Sequence, residues 1–286
     1  MKKLRENRIA CFVIITLVYL VAGVGGYYLY RLLPFGFAFR LFFADLGATV
    51  ITFFFSVLLG NASVYDPYWS VQPPVIITGA ALIRSMGLPQ LLLFLSIWFW
   101  GLRLTLNWAY TFRDLNHQDW RYTMLKEKTG KLYPFVNLLG IHLFPTIVVY
   151  LAVLPAVFVF EAVPEANIGS FVFFLLSVSA VVLQMISDLQ MQHFRKSGRG
   201  GLIRDGLWKY ARHPNYLGEI LMWWGVAGQA LSVLRGSWWL VAGALVNTFM
   251  FLFISIPMAD RRQQEKPGYE EYREETRMLV PLPKRR

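Results

Sequence analysis

Residues 187–225 read SDLQMQHFRKSGRGGLIRDGLWKYARHPNYLGEILMWWG, a polar, strongly basic stretch set between two apolar runs. Arg195, Lys196, Arg199, Arg204, Lys209 and Arg212 face only Asp205 within the loop. Six cations and a run of glycines beside a membrane call for an anionic partner. Lipid headgroups or a phosphate-bearing cofactor would serve.

Outward from this loop the chain is apolar. Runs near 9–30, 40–60, 88–108, 136–159, 169–190, 216–234 and 238–257 approach the roughly 17–25 residues that cross a hydrocarbon core. A shorter run, 71–83, contains Pro73 and Pro74 and reads as a tilted eighth span or a re-entrant piece. Hydrophobic residues make up 56% of the 286, charged ones 16%, and the short alternating segments of a membrane barrel are missing. The sequence therefore predicts an all-α polytopic membrane protein with seven or eight transmembrane helices. The apolar runs read as one membrane domain; residues 1–60 read as N-terminal transmembrane helices, and a resemblance given below implies a membrane catalytic domain over 61–286.

The net charge of +11 follows the positive-inside rule rather than pointing to nucleic acid. Basic residues crowd the N-terminus (Lys2, Lys3, Arg5, Arg8), the 112–134 loop, the 192–213 loop and the tail from Arg261. These regions, both termini included, are expected in the cytoplasm. The 161–168 connection has Glu161 and Glu165 and no cation, and is expected outside. Termini on one side require an even number of spans, which favours eight. The apolar run after Arg8 imitates a secretory signal but reads as an uncleaved first helix. Cys11 is the only cysteine, and the four histidines have no paired ligand spacing, so no disulfide or metal site is expected.

Several polar residues intrude where apolar ones are cheaper. Gln184, Asp188 and Arg195 fall on one helical stripe that starts in the membrane and reaches the basic loop. Asp188 and Arg195 read either as a structural ion pair or as part of a functional site. Arg212-His213-Pro214-Asn215-Tyr216 opens the next apolar helix, with proline in the first turn and free N–H groups beside cations, a seat for phosphate. Glu219 lies one turn deeper than Asn215. The glycines at 198, 200, 201 and 206 do not form a strand-following GxGxxG, so no Rossmann fold is implied. Tyr65, Asp66, Tyr68 and Trp69 read as an interfacial belt or as the mouth of a pocket.

Asp188 with Arg195, followed by GLWKYARHPNYLGE at 206–219, resembles the C-terminal domain of the steroid 5α-reductase family, in its bacterial membrane branch formerly of unknown function. WGLRL at 100–104, DWRY at 119–122 and GYEEYREETRMLVP at 268–281 add to the resemblance, which covers roughly residues 60–283. It implies NADPH-dependent reduction of a conjugated carbon–carbon double bond, commonly in a 3-oxo-steroid. It also implies a hydrophobic substrate entering from the membrane and, for a bacterium, location in the inner membrane. By position, Asp188, Arg195, Tyr210 and Asn215 would contact the cofactor. Gln184 stands where the family has Asn. Arg204, Arg212 and His213 would help seat the phosphates. Glu219 would sit near the nicotinamide, with Asp66 and Tyr68 as the groups acting on the carbonyl. A tail Arg and Tyr of the steroid enzymes correspond here to Pro257 and Glu265. The RHPxYxG element and the distal GYxxY also resemble S-adenosylmethionine-dependent membrane methyltransferases of the isoprenylcysteine and phospholipid type. Those enzymes carry paired acids before the Gly-Tyr, where this chain has only Glu265. Non-enzymatic binding of anionic lipid would leave the depth of Asp188, Asn215 and Glu219 unexplained.

Overall fold

The computed structural model describes residues 5–283, so Lys2 and Lys3 lie outside the described residues. Its helices are α1 (Arg8–Leu32), α2 (Phe37–Leu58), α3 (Tyr68–Ile83), α4 (Leu88–Thr111), α5 (Trp120–Thr129), α6 (Phe144–Ala162), α7 (Ile168–Lys196), α8 (Pro214–Val233), α9 (Ala242–Met250), α10 (Ile256–Gln264) and α11 (Tyr269–Glu275). Among the described residues there is no strand, only an isolated bridge between Ala211 and Arg277. The protein is an all-α polytopic membrane protein.

Local chemistry sets the helix ends. The Asn7 side chain accepts from the N–H groups of Ile9 and Ala10 and caps α1. Asp119 caps α5 through the Arg121 N–H, and Asn167 forms a capping box with Ser170 at the start of α7. Pro214 occupies the first turn of α8, where its missing N–H costs nothing.

Six segments are long and apolar enough to cross a membrane: α1, α2, α4, the 120–162 stretch containing α6, α7, and the 238–264 stretch containing α9 and α10. The other two apolar helices fall short for different reasons. At 16 residues, α3 is about 24 Å long, under the roughly 30 Å of a hydrocarbon core. By contrast α8 is long enough but diluted by Asn215, Glu219, Gln229 and its glycines. It is the inner helix, surrounded by α4, α6, α7 and α9. Arg8 donates to the Ala109 carbonyl at 2.6 Å, and Arg5 donates to the Leu59 carbonyl. The start of α1 thus meets the ends of α2 and α4 on the basic face of the bundle, which also carries the basic loop and the tail.

Lipid gives helices little hydrophobic reason to associate, so close packing must hold them. Small residues permit it. A Cβ added at Gly218 of α8 would lie 2.5 Å from Gln184 Cγ and 2.6 Å from the Ala180 carbonyl oxygen of α7. Gly101 of α4 sits equally tight against Pro74 and the Ser70 carbonyl of α3. That carbonyl loses its helical donor because Pro74 has no N–H. Two stretches are wound as π-helix, Asn137–Leu143 leading into α6 and Phe251–Ser255 joining α9 to α10. Both line the cavity described next, in keeping with the frequent use of such bulges at functional sites.

Candidate active site

The predicted polar residues of α7 and α8 meet, joined by residues of α4. Arg103 of α4 forms a buried ion pair with Asp188, their side chains 7% and 20% exposed. Arg103 also approaches Gln184 Oε1 at 3.4 Å. Gln184 Nε2 donates to Glu219 Oε2, which also accepts from Trp100 Nε1 at 2.8 Å, while Trp223 Nε1 donates to Oε1 at 2.8 Å. Asn215 Nδ2 reaches toward Asp188 Oδ1 at 3.5 Å. A buried carboxylate needs this density of donors to offset its desolvation. The structural reading of Asp188 pairs it with Arg195. In the fold its direct partner is Arg103, because α4 packs against α7, while Arg195 acts on Asp188 only at longer range.

The start of α8 is tied to the tail. His213 Nε2 is 2.8 Å from Asp260 Oδ1, and Arg212 Nε is 3.5 Å from the same oxygen. The Arg212 and His213 N–H groups donate to the Arg277 and Met278 carbonyls, and Arg277 N–H returns a bond to the Tyr210 carbonyl. Tyr272 Oη donates to the Trp208 carbonyl at 2.6 Å. The tail thereby folds back beside the RHPNY segment.

Two cavities result. An outer basin of about 670 Å³ lies at the basic face, walled by the 198–203 loop, the ends of α7 and α8, and the tail. An inner chamber of about 540 Å³ continues into the bundle, with Glu219 and Gln184 on one side and Tyr65, Ile141, Phe144, Val149 and Phe251 among its apolar walls. Asn107, Trp120, Asp188, Asn215, Tyr216 and Ala259 line both and form the neck between them. A lateral groove of about 740 Å³ between α4 and α7, with Phe99, Leu102, Leu106, Met185 and Leu189 on its sides, reaches the Arg103–Asp188 pair from the outer surface of the bundle.

Two of the basin's cations meet carboxylates only at longer range, Arg195 toward Asp188 and Arg262 toward Asp119. Among the described residues, Arg195, Arg262 and Lys266 form no ion pair within 4.0 Å, although all three line the basin. Arg262 stacks on Trp120 with its guanidinium 4.5 Å from the ring centroid, and Lys266 donates to the Gly201 carbonyl at 3.0 Å. Burial, then the charges of Arg195 and Arg262, hold the Lys266 ammonium below its usual pKa. An anion placed among these groups would relieve that repulsion.

Other predicted residues sit elsewhere. Arg204 pairs with Glu271 at 3.0 Å and Glu275 at 3.6 Å and lines neither cavity. Tyr210 is exposed and also lines neither. Tyr68 Oη donates to Asp45 Oδ1 at 3.0 Å and stacks on Tyr65 at 5.3 Å. Tyr65 itself faces the chamber, so Tyr68 stands one ring behind its wall. Asp66 Oδ1 accepts from Tyr122 Oη at 2.7 Å, and Tyr122 lines the chamber. Burial raises Asp66 to a pKa of about 6, against the lowering influence of Arg121 and the Tyr122 bond. The groups that sequence reading did not assign to the site include Arg103, Tyr122, Trp100, Tyr216, Arg262 and Lys266. Trp100 and Tyr216 lay inside quoted motifs. Arg262 and Lys266 carried no local signal, because only the folded-back tail brings them to the basin.

A family model described as "Protein of unknown function (DUF1295)" matches residues 52–276. Among curated proteins, 3-oxo-5-alpha-steroid 4-dehydrogenase 1 of Macaca fascicularis is 30% identical over 111 residues, 38% of this chain and 39% of that protein. The human protein of the same name is 29% identical over 111 residues, 38% of this chain and 40% of its own length. An uncharacterized protein of Schizosaccharomyces pombe is 25% identical over 199 residues, 59% of this chain and 57% of that protein. The chain thus spans about four-tenths of the two dehydrogenases it matches. No solved structure matches it significantly.

Proposed function

From a chain that belongs to the DUF1295 family and is distantly similar to 3-oxo-5-alpha-steroid 4-dehydrogenases, we propose a membrane reductase that uses NADPH to saturate the conjugated C=C bond of a lipid enone, such as a 3-oxo-steroid. The observation that carries this reading is the two-part cavity: a cation-lined basin at the basic face opens through a polar neck into a chamber with more apolar walls deeper in the bundle. A phosphate-rich cofactor and an apolar substrate need opposite surroundings that meet at the reacting atoms, and this cavity supplies both.

The residues present fit such a cofactor. Asn215 Oδ1 is buried at the neck with no hydrogen-bond partner among the described residues, so Asn215 with Asp188 would take the carboxamide. Arg195, Arg262 and Lys266 would neutralise the phosphates; guanidinium forks suit phosphate oxygens. When bound, NADPH supplies a hydride to the β-carbon of the enone. The protein's own tasks are to hold the two reactants, exclude water and manage one proton. Glu219, with both oxygens occupied by N–H donors, fixes Gln184 at the chamber wall and Trp100 and Trp223 beside it. Asp66 accepts from the Tyr122 hydroxyl and is raised to a pKa of about 6. When protonated it can donate to the Tyr122 oxygen instead, which frees the Tyr122 O–H for the oxygen on which charge develops, where a placed donor is worth about 3–4 kcal/mol. One proton from solvent ends on the α-carbon to give the saturated ketone. Tyr68 keeps Tyr65 in place by stacking on it. The lateral groove between α4 and α7 offers the lipid a route that avoids water. The basic face is then the cytoplasmic one.

Titrating detergent-purified protein with NADPH and, separately, with S-adenosylmethionine, by quenching of its ten tryptophans, tests the reading. Saturable binding of NADPH followed by enone-dependent absorbance loss at the dihydronicotinamide band is expected. Binding of S-adenosylmethionine alone would make the same basin a methyl-donor site and overturn the proposal.

A further inference from the structure

The groove between α4 and α7 has a polar floor, apolar sides and a cationic rim. The two helices run parallel and in register, joined by polar rungs. Arg103 pairs with Asp188, and one turn on Gln192 Nε2 donates to Asn107 Oδ1 at 2.5 Å. A further turn on, the Lys196 ammonium lies 4.9 Å from the centre of the Tyr110 ring. The sides are built by the neighbouring positions on each helix: Leu102, Leu106 and Leu189 are half exposed or more, with Phe99 and Met185 at the deep end. Residues three and four apart share a helix face, so each helix gives the groove one polar row and one apolar row.

Its length fits one leaflet. Lys196 back to Met185 and Tyr110 back to Phe99 are each eleven residues, and both stretches are α-helical throughout. At about 1.5 Å per residue the groove runs about 16 Å, close to half of a hydrocarbon core of roughly 30 Å. Its shallow end is the rim, because Tyr110 and Lys196 lie at the last turns of their helices on the basic face. There Arg8 of α1 donates to the Ala109 and Tyr110 carbonyls at 2.6 and 3.3 Å, so Tyr110 stands between Arg8 and Lys196. Among the described residues neither cation has a carboxylate within 4.0 Å. Carbonyls and a ring orient these charges without neutralising them. His193 lines the groove beside Lys196.

We propose that this groove is a binding site for one anionic phospholipid, its phosphate held between Arg8 and Lys196 and one acyl chain laid over the rungs. A slot one leaflet long matches an acyl chain, and two uncompensated cations at its mouth match a phosphodiester with no cationic group beside it. A free phosphate would make no use of the apolar slot, and a neutral lipid would make none of the cations. The seated chain also covers the bilayer side of the Arg103–Asp188 pair, where an exposed ion pair is costly. An apolar substrate that takes the same groove displaces this lipid. The site needs only the membrane setting of the two helices and does not rest on the reductase reading.

The test is native mass spectrometry of the full-length protein in detergent, titrated with phosphatidylglycerol and, separately, with phosphatidylcholine of the same acyl chains. One phosphatidylglycerol is expected to bind about tenfold more tightly than phosphatidylcholine. Arg8→Gln combined with Lys196→Gln is expected to bring that ratio to about one. Leu106→Trp, which fills the slot and leaves the rim intact, is expected to abolish the single bound lipid of either kind. Lys126→Gln, which removes an exposed cation outside the groove, leaves the ratio unchanged. Equal binding of the two lipids by wild type, a preference that survives the double substitution, or a bound lipid that survives Leu106→Trp would overturn the proposal. So would displacement of the lipid by equimolar glycerol phosphate, which would make the rim a simple anion site. The wild-type comparison and Leu106→Trp decide the matter even if the double variant does not fold. No NADPH or enone is present, so failure here leaves the reductase reading standing, and failure of NADPH to bind leaves this site standing.

Discussion

The outer basin and the inner chamber treat charge in opposite ways. In the chamber, Glu219 accepts from three N–H groups and Arg103 is closed by Asp188. Behind its wall, Asp45 is closed by Tyr68 and Gln72. In the basin, Arg195, Arg262 and Lys266 stand close together and make no direct ion pair among the described residues. Desolvation explains the difference. A charge inside the bundle has no water to fall back on and must be matched by protein donors or acceptors. A charge at the basic face stays hydrated until a ligand displaces the water, so it can be held in reserve for an anion. Buried pairs in this protein report on folding, and unpaired surface cations around a cavity report on binding.

The contrast can be broken most severely at the neck, where the two regimes meet. Asp188→Ala leaves Arg103 buried and alone, and is expected to cost about 3–5 kcal/mol of stability together with NADPH binding. Arg103→Met with Asp188→Leu should restore the melting temperature in detergent but not the binding. If that double variant binds NADPH like wild type, the neck is no cofactor site. In the basin, Arg262→Ala combined with Lys266→Ala should weaken NADPH by about 100-fold, near 2.7 kcal/mol, and flatten its salt dependence, with the melting temperature and apolar-ligand affinity unchanged. Equal weakening of the apolar ligand would show that the two compartments are not separate. In the chamber, Glu219→Gln turns an amide NH₂ toward tryptophan and glutamine donors. A loss of about 1–3 kcal/mol in stability is expected, with NADPH affinity kept within about threefold.

The smallest effect is a pH slope. Asp66 is raised to about 6, above the roughly 3.9 of an unfolded aspartate, so the folded protein holds its proton longer. Its contribution to stability is complete below about pH 4, declines between about pH 4 and 6, and is gone above that window. The slope is at most about 1.4 kcal/mol per pH unit. Asp66→Asn should remove it in a thermal-melt series, and a slope that persists would assign it to another group.

The helices were largely legible. The run at 169–190 became α7 (Ile168–Lys196), and Pro214 marked the start of α8. Apolar length and capping chemistry are local properties, so sequence carries them. The limits of that signal show in α8, which sequence treated as one more span. Its polar and small residues make it the least lipid-like of the long helices, yet it is the one buried within the protein, and hydropathy does not distinguish lipid from helix neighbours. Within the candidate site, the alignment of Gln184, Asp188, Asn215 and Glu219 was readable because each pair shares one helix face. The partner of Asp188 was not. Arg195 lies on the same helix and Arg103 is 85 positions away. Periodicity speaks only of neighbours along one helix.

By itself, then, the sequence determined that the chain is a helical membrane protein, that one face is basic, and that α7 and α8 each carry polar groups on one stripe leading toward that face. These follow from composition, apolar run length and the 3.6-residue period, all of which act within a segment. Only the tertiary structure decided that Arg103 neutralises Asp188 and that the tail folds back to bring Arg262 and Lys266 to the basin. Those facts depend on which helices lie side by side, and packing of small residues such as Gly101 and Gly218 settles that only once the whole bundle has assembled.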